Sequence, residues 1–291
     1  MFFFIGAFFL LVSCTQKEHP RFMFQNGVGL NLEAAGCSIL DLGGAGRMCE
    51  RVRTENPDLF FQVGPAFSFL IPKEVSSEKR DLLRQALIKV WNSSGVKLYS
   101  VDSLDLSPSL ESFLKITESK KFSLLSTNIR DKKGSALFLV SKLNWNKHAF
   151  VFLSFTGPKE PTESIDWRAI SFKGALNDLG SLLSENASAQ LLILGSLSPS
   201  QREELATALG RKAYFVGGTL EEENSTEWMP ISSGSFWAKA VDLGRGIGTI
   251  QWNSAASGAL GSQFSSKGLR KDLDAANQCT KVVNEVLGSS R

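Results

Sequence analysis

The sequence predicts an α/β protein whose elements stack as a four-layer αββα sandwich of two sheets. Strand-like and helix-like segments alternate through the first two thirds of the chain and a strand-rich part follows, an order that suits two sheets covered by helices. Several strand candidates, among them Leu59-Phe60-Phe61 and Gln190–Leu194, are continuous apolar runs, as a strand covered on both faces requires. The helical candidates between them repeat apolar residues at i, i+3, i+4 and i+7, so each has one face to bury. At 291 residues the chain can bury a sizeable core, and a single domain over 21–291 is expected.

The N-terminus comes first. Phe2 to Val12 is almost wholly apolar but too short for a permanent membrane helix, which fits the apolar region of a signal peptide over 1–13. Leu11-Val12-Ser13-Cys14 then matches the bacterial lipobox, in which the cysteine thiol accepts diacylglycerol. Cys14 is therefore the expected lipidation site, with residues 14–20 as a polar tether. Thr15, rather than Asp, after the lipid cysteine resembles lipoproteins sorted to the outer membrane, facing the periplasm.

Arg21 to Glu33 is expected to hold the first strand, through Phe22, Phe24, Val28 and Leu30. A glycine turn at Gly43-Gly44 opens a helix striped by Ala45, Met48, Cys49 and Val52 and stopped by Asn56-Pro57. The Leu59 run follows and Gly64-Pro65 ends it. Ser77 to Val90 is a helix with the stripe Leu82, Leu83, Ala86, Leu87 and Val90, followed by a turn at Ser93-Ser94-Gly95. Strands are expected at Lys97–Val101, Phe122–Ser126, Ala136–Ser141 and His148–Ser154, with a polar hairpin at Asn144–Lys147. Asp166–Leu183 reads as a helix, Gln190–Leu194 as a buried strand, Ser198–Leu209 as a helix with Pro199 in first position, and Ala213–Val216 as a strand. Gly234–Asn253 resembles a hairpin turning at Gly244-Arg245-Gly246, Ser254–Ser266 a flexible Ser/Gly/Ala loop, and Leu269–Leu287 a closing amphipathic helix.

Charge and cysteines bound the function. The net charge of +3 arises from 32 basic and 29 acidic residues spread along the chain, without the basic block that a nucleic-acid reader needs, so no nucleic-acid partner is expected. With Cys14 lipidated, Cys37, Cys49 and Cys279 remain. Cys37 can bridge to Cys49 or to Cys279, leaving one thiol, and buried structural cysteines are the default.

The stretch Gly36 to Phe67, GCSILDLGGAGRMCERVRTENPDLFFQVGPAF, resembles the opening βα unit of the calcineurin-like metallophosphoesterases of the 5′-nucleotidase type, which carry L-G-G-x-A-R, E-x-P-D and L-L-L-D-A-G-D. The resemblance extends over roughly Arg21 to Asn253 and implies the same two-sheet sandwich. It also implies two metal ions held at strand ends, because phosphoester hydrolysis in this family relies on a pair of divalent cations. Those ligands are missing here. The family's N-D-x-H falls on Asn26-Gly27-Val28-Gly29, and the last aspartate of L-L-L-D-A-G-D falls on Pro65. G-N-H-E falls on Asp102-Ser103-Leu104-Asp105, L-x-H on Leu194-Gly195-Ser196, and G-H-x-H on Gly218-Thr219-Leu220-Glu221. Ser126-Thr127-Asn128 resembles the family's S-A-N. The chain has two histidines, His19 in the tether and His148 inside an apolar strand.

The resemblance thus implies a vestigial cleft of Gly27, Gly29, Pro65, Ser103, Leu104, Asp105, Asn128, Ser196, Thr219 and Glu221, with no catalytic residue, no metal ligand and no cofactor. Asp102, Asp105 and Glu221 with Ser103, Ser196 and Thr219 would be an alternative oxygen-ligand site for Ca²⁺ or Mg²⁺. Solvated loop residues and helix caps are the plainer reading, with Asp105 or Ser107 capping the Leu110-Phe113-Leu114 helix. The function expected is that of a catalytically inactive binding or scaffolding lipoprotein of a bacterial envelope, held to the membrane by lipid on Cys14, with an envelope protein or ligand as partner. The alternatives are a weak phosphohydrolase with a rebuilt metal site, or a sensor that binds a phosphate ester or nucleotide without hydrolysing it.

Overall fold

The computed structural model describes residues 19–27, 44–67, 76–106, 109–138, 140–145, 148–157, 166–219, 222–241, 245–253, 262–269 and 277–288. Cys14, the signal peptide, Val28, Gly29, Leu30, Cys37 and Glu221 lie outside them. The first sheet contains β1 (Arg21–Asn26), β2 (Leu59–Val63), β3 (Leu98–Ser100), β4 (Ser123–Leu125), β13 (Gly246–Trp252) and β14 (Ser262–Gly268), in the order β14-β13-β1-β2-β3-β4. The second contains β6 (Ser141–Trp145), β7 (His148–Ser154), β9 (Gln190–Leu194), β10 (Tyr214–Val216), β11 (Met229–Pro230) and β12 (Phe236–Ala238), in the order β11-β12-β10-β9-β7-β6. A two-stranded ribbon of β5 (Ile129–Asp131) and β8 (Trp167–Ala169) stands apart from both.

The period-two alternation of strand side chains decides the layers. On β1 and β2, Phe22, Phe24 and Phe61 turn toward Phe150, Phe152, Leu192 and Tyr214 of the second sheet, forming the core between the sheets. Met23 and Phe60 point the other way, into a core closed by α1 (Ala45–Glu55), α2 (Ser77–Ser94) and α7 (Gln278–Gly288). Behind the second sheet, Val151, Leu153, Leu191, Ile193 and Phe215 pack on α4 (Phe172–Asp178) and α6 (Pro199–Leu209). The continuous apolar runs are thus covered on both faces, and the result is the αββα sandwich expected from the sequence.

Local signals set most element ends. Asn56 takes a left-handed conformation (φ 44°) at the end of α1, its N–H bonding the Val52 carbonyl, and Pro57 prevents continuation. Ser198 and Gln201 form a reciprocal capping box on α6 with Pro199 at its start, and Gly210 closes it in the left-handed region.

Other expectations are corrected. Phe22 and Phe24 stand in β1 as expected, Val28 and Leu30 lie outside the described residues, and α2 runs on to Ser94 instead of turning at Ser93. Among the described residues no strand spans Ala136–Ser141. Arg130 and Ala136 form a single bridge, and the strand begins at Ser141 and takes in Asn144 and Trp145, expected in a hairpin. The predicted helix from Asp166 begins as a strand, because Trp167–Ala169 pairs antiparallel with β5, and only from Phe172 does the chain turn helical. The predicted hairpin Gly234–Asn253 does not form: β12 lies parallel to β10 in the second sheet, whereas β13 pairs with β1 in the first. The other partner of β13 is β14, so Ser262 to Ser266 are strand rather than loop, with Ser262 and Phe264 buried. Leu269 is buried and not helical, residues 270–276 lie outside the described residues, and the helix Gln278–Gly288 follows Asn277, which accepts from the Cys279 and Thr280 amides. Cys49 on α1 is disulfide-bonded to Cys279 on α7, with Cα atoms 6.3 Å apart, so neither pairs with Cys37.

Candidate functional site

Strands β1 to β4 run parallel to one another, as do β7, β9, β10 and β12, and the C-terminal ends of strands from both sheets meet at one cleft. Binding sites in open parallel sheets lie outside such ends, because the loops leaving them diverge and expose backbone polar groups. The cleft has a volume of about 400 Å³. Asn26 and Gly27 come from the end of β1, Pro65 from β2, and Asp102, Ser103 and Leu104 from β3. Thr156 and Gly157 follow β7, Ser196 and Gln201 follow β9, and Gly218 and Thr219 follow β10.

Six residues singled out in the sequence, Gly27, Pro65, Ser103, Leu104, Ser196 and Thr219, are therefore neighbours around one cavity. Glycine is required where the chain leaves β9 and β10 beside the lining. A Cβ on Gly195 (φ +152°) would fall 2.1 Å from the Phe155 carbonyl oxygen, and one on Gly217 (φ +103°) 2.6 Å from Val63 and 2.7 Å from the Gly195 carbonyl.

Asp105 and Asn128 stand behind the wall. Asp105 is 2% exposed and accepts from the Ala66 and Phe67 amides, both at 2.8 Å, from the Asp102 amide at 3.0 Å and from the Tyr99 hydroxyl. It is neither a solvated loop residue nor a cap: the loop after β2 turns its N–H groups inward, and this carboxyl answers them. The cap of α3 (Leu110–Ile116) is Ser109, which accepts from the Ser112 amide. Burial, then the charge of Asp102, pushes the Asp105 carboxyl up to about 7 against the lowering by Tyr99 and the two amides. Asp102 is itself buried, and its Oδ1 accepts from the Leu104 amide at 2.9 Å. Asn128 donates to the Thr156 and Ile170 carbonyls at 2.8 and 3.1 Å and accepts from the Thr156 amide, which holds Thr156 at the cleft.

The far wall is fastened by charge. Arg202 is bidentate to Glu222 and stacks over Trp237 at 4.2 Å, and Glu222 accepts from the Thr219 amide at 2.9 Å. Lys239, fully buried, donates to the Thr219 and Glu222 carbonyls at 2.5 and 2.6 Å. Sequence reasoning missed this clamp and the part played by Thr156 and Gln201. The Ser198-x-x-Gln201 spacing is a capping pattern that could have drawn attention to Gln201, whereas buried ion pairs between residues 20 apart leave no periodic trace. His148, half-buried at the start of β7, stacks obliquely on Phe150 and stands outside the cleft.

A two-sheet αββα sandwich with strand ends converging on one cleft is the fold of the calcineurin-like phosphoesterases and 5′-nucleotidases. Similar solved structures are a 5′-nucleotidase precursor from Thermus thermophilus (13% identity, TM-score 0.69) and the calcineurin-like phosphoesterase YfkN from Bacillus subtilis (12%, 0.69). A third is the sulfate thiohydrolase SoxB, also from Thermus thermophilus (12%, TM-score 0.71). These matches cover 94%, 94% and 93% of this chain and 59%, 97% and 60% of the respective solved chains, so the chain spans about three fifths of the first and third. No model of a protein family and no curated protein sequence matches the chain.

Two-metal chemistry, which the fold implies, needs imidazole and carboxylate donors around each ion. Among the described residues no group of three or more His, Cys, Asp or Glu is placed to hold an ion. Along the cleft they offer one carboxylate, Asp102, beside hydroxyls and amides. The donor set does not fit a two-metal centre.

Proposed function

We propose that the chain is a lipid-anchored protein of a bacterial envelope whose metallophosphoesterase-type sandwich acts by binding, as a ligand-capturing or scaffolding module, and not by hydrolysis. One observation carries this reading: the strand ends where the resemblance expects metal ligands present Gly27, Pro65, Leu104, Ser196 and Thr219 to a shared cleft. Glycine, proline and leucine side chains give a cation no donor. Without bound cations nothing there would neutralise a transferring phosphoryl group or lower the pKa of an attacking water.

The envelope location draws support from the Cys49–Cys279 disulfide, since such bonds persist in oxidising compartments, and from the apolar N-terminal run ending at Cys14. Lipid on Cys14 would tether the sandwich to the membrane, with the outer membrane favoured by Thr15.

The test is elemental analysis of the purified protein together with turnover of 5′-AMP, p-nitrophenyl phosphate and bis(p-nitrophenyl) phosphate in added Mn²⁺, Zn²⁺ or Mg²⁺. Sub-stoichiometric metal, and turnover equal to that of a Ser103→Ala, Ser196→Ala double variant, are expected. Stoichiometric transition metal with chelator-sensitive hydrolysis would sink the reading.

A further inference from the structure

The proposed binding role leaves open what the cleft takes, and its electrostatics narrow the answer. A phosphate ester carries one to two negative charges and is recognised by Arg or Lys, by a metal ion, or by free N–H groups at a helix N-terminus. Among the described residues lining the cleft there is no Lys, Arg or His, and the one ionisable side chain is the acidic Asp102. The nearby cations are already committed: Arg202 to Glu222, and Lys239 to two main-chain carbonyls.

Two of the first three residues of the helix that opens onto the cleft offer an anion no N–H. At the start of α6, Pro199 has no N–H, and the Gln201 amide is taken by the Ser198 hydroxyl in the capping box. The lining instead presents hydroxyls from Ser103, Thr156, Ser196 and Thr219 beside the Asp102 carboxylate. Hydroxyls donate and accept, and a carboxylate accepts from paired O–H groups, which is the complement of a polyol. Leu104, 46% exposed at the lining, adds an apolar contact for a C–H face. A cavity of about 400 Å³ has the size of a small-molecule site.

We infer that the cleft binds an uncharged, hydroxyl-rich ligand of the saccharide or nucleoside kind and discriminates against its phosphorylated counterpart. The inference rests on the binding reading above and is independent of the membrane anchor. The Thr219 hydroxyl donates to Glu222 at 3.3 Å, the Ser103 hydroxyl donates to Asp102 at 3.4 Å and the Thr156 hydroxyl accepts from the Ser103 amide at 3.3 Å, so these three are positioned before a ligand arrives, each with further hydrogen-bonding capacity.

The experiment uses matched pairs on the purified full chain: glucose with glucose 6-phosphate, N-acetylglucosamine with its 6-phosphate, and adenosine with 5′-AMP. Binding is followed by saturation-transfer NMR and calorimetry. The neutral member of at least one pair should bind saturably and more tightly than its phosphate. Asp102→Asn should shrink that preference, and a Ser196→Ala, Thr219→Val variant should weaken the neutral ligand by about tenfold, as loss of a hydrogen bond would. Melting curves of each variant separate misfolding from lost contacts, and Ser196→Ala alone serves if the double variant is unstable. Phosphates binding as tightly as the neutral members, or no neutral member binding, would overturn the inference. Hydrolysis of 5′-AMP would instead sink the binding reading beneath it.

Discussion

The hydroxyl of Tyr99 donates to Asp105 inside the first sheet's helix-side core, and the same hydroxyl lies 3.2 Å from the Gly64 carbonyl. Two strand ends are thereby tied together, since Gly64 follows β2, Tyr99 is on β3, and Asp105 sits in the 3-10 turn Ser103–Leu106 that follows β3 at the cleft.

The burial of Asp105, with Asp102 beside it, predicts an acid-favoured stability. The Asp105 carboxyl, ordinarily 3.8, stands at about 7 in the folded protein, so between those values the folded state holds a proton that the unfolded chain has lost. Its contribution is fully present below about pH 4 and is lost as pH rises through about 7, at up to about 1.4 kcal/mol per pH unit. Urea denaturation at several pH values should show that decline in wild type and a flatter profile in Asp105→Asn. Parallel profiles would refute the assignment.

Phe61 is fully buried between the sheets, stacked on Phe24 at 5.5 Å and edge-on to Phe152 at 6.0 Å. Phe61→Ala removes that area and leaves a cavity, so a loss of about 3–5 kcal/mol is expected. Chemical denaturation followed by circular dichroism measures it, and an unchanged midpoint would contradict the placement of β2.

The Cys49–Cys279 bond closes a loop across a sequence separation of 230 and holds α1 against α7. The double variant Cys49→Ser, Cys279→Ser should be less stable by roughly 2–5 kcal/mol, and dithiothreitol should lower the melting temperature of wild type while leaving the variant unmoved. Equal sensitivity of both proteins to the reductant would argue against this pairing.

Arg202 and Glu222 have side chains 5% and 14% exposed and face each other with two contacts. Removing one partner strands the other charge, so Glu222→Ala should destabilise by about 3–5 kcal/mol. It should also free the Thr219 amide, seen as faster hydrogen exchange there than elsewhere in the domain. A surface pair would cost less than about 1 kcal/mol, and that smaller value would show the clamp to be loose.

The proposed anchor is checked in cells. A fatty-acid probe should label the wild type and not Cys14→Ser, and equal labelling of the two would remove the lipoprotein part of the proposal.

The sequence by itself determined the helices α1, α2 and α6 and the strands β2, β7, β9 and β10. Their signals are local, in the i, i+3, i+4 stripes, the Asn56-Pro57 stop, Pro199 in the first helical position and the unbroken apolar runs. It also marked where Gly27, Pro65, Leu104, Ser196 and Thr219 stand relative to a resembled motif. Only the tertiary structure decided that these residues share a cleft, that Phe236–Ala238 and Gly246–Trp252 belong to different sheets, and that Trp167–Ala169 is strand. Strand pairing depends on partners far away in the chain, and a short segment with an apolar stripe takes its conformation from the neighbour that accepts its hydrogen bonds. The same holds for Asp105: nothing adjacent in the chain distinguishes a cap from a buried carboxyl, and the amides of Ala66 and Phe67, 39 and 38 positions away, made it the latter.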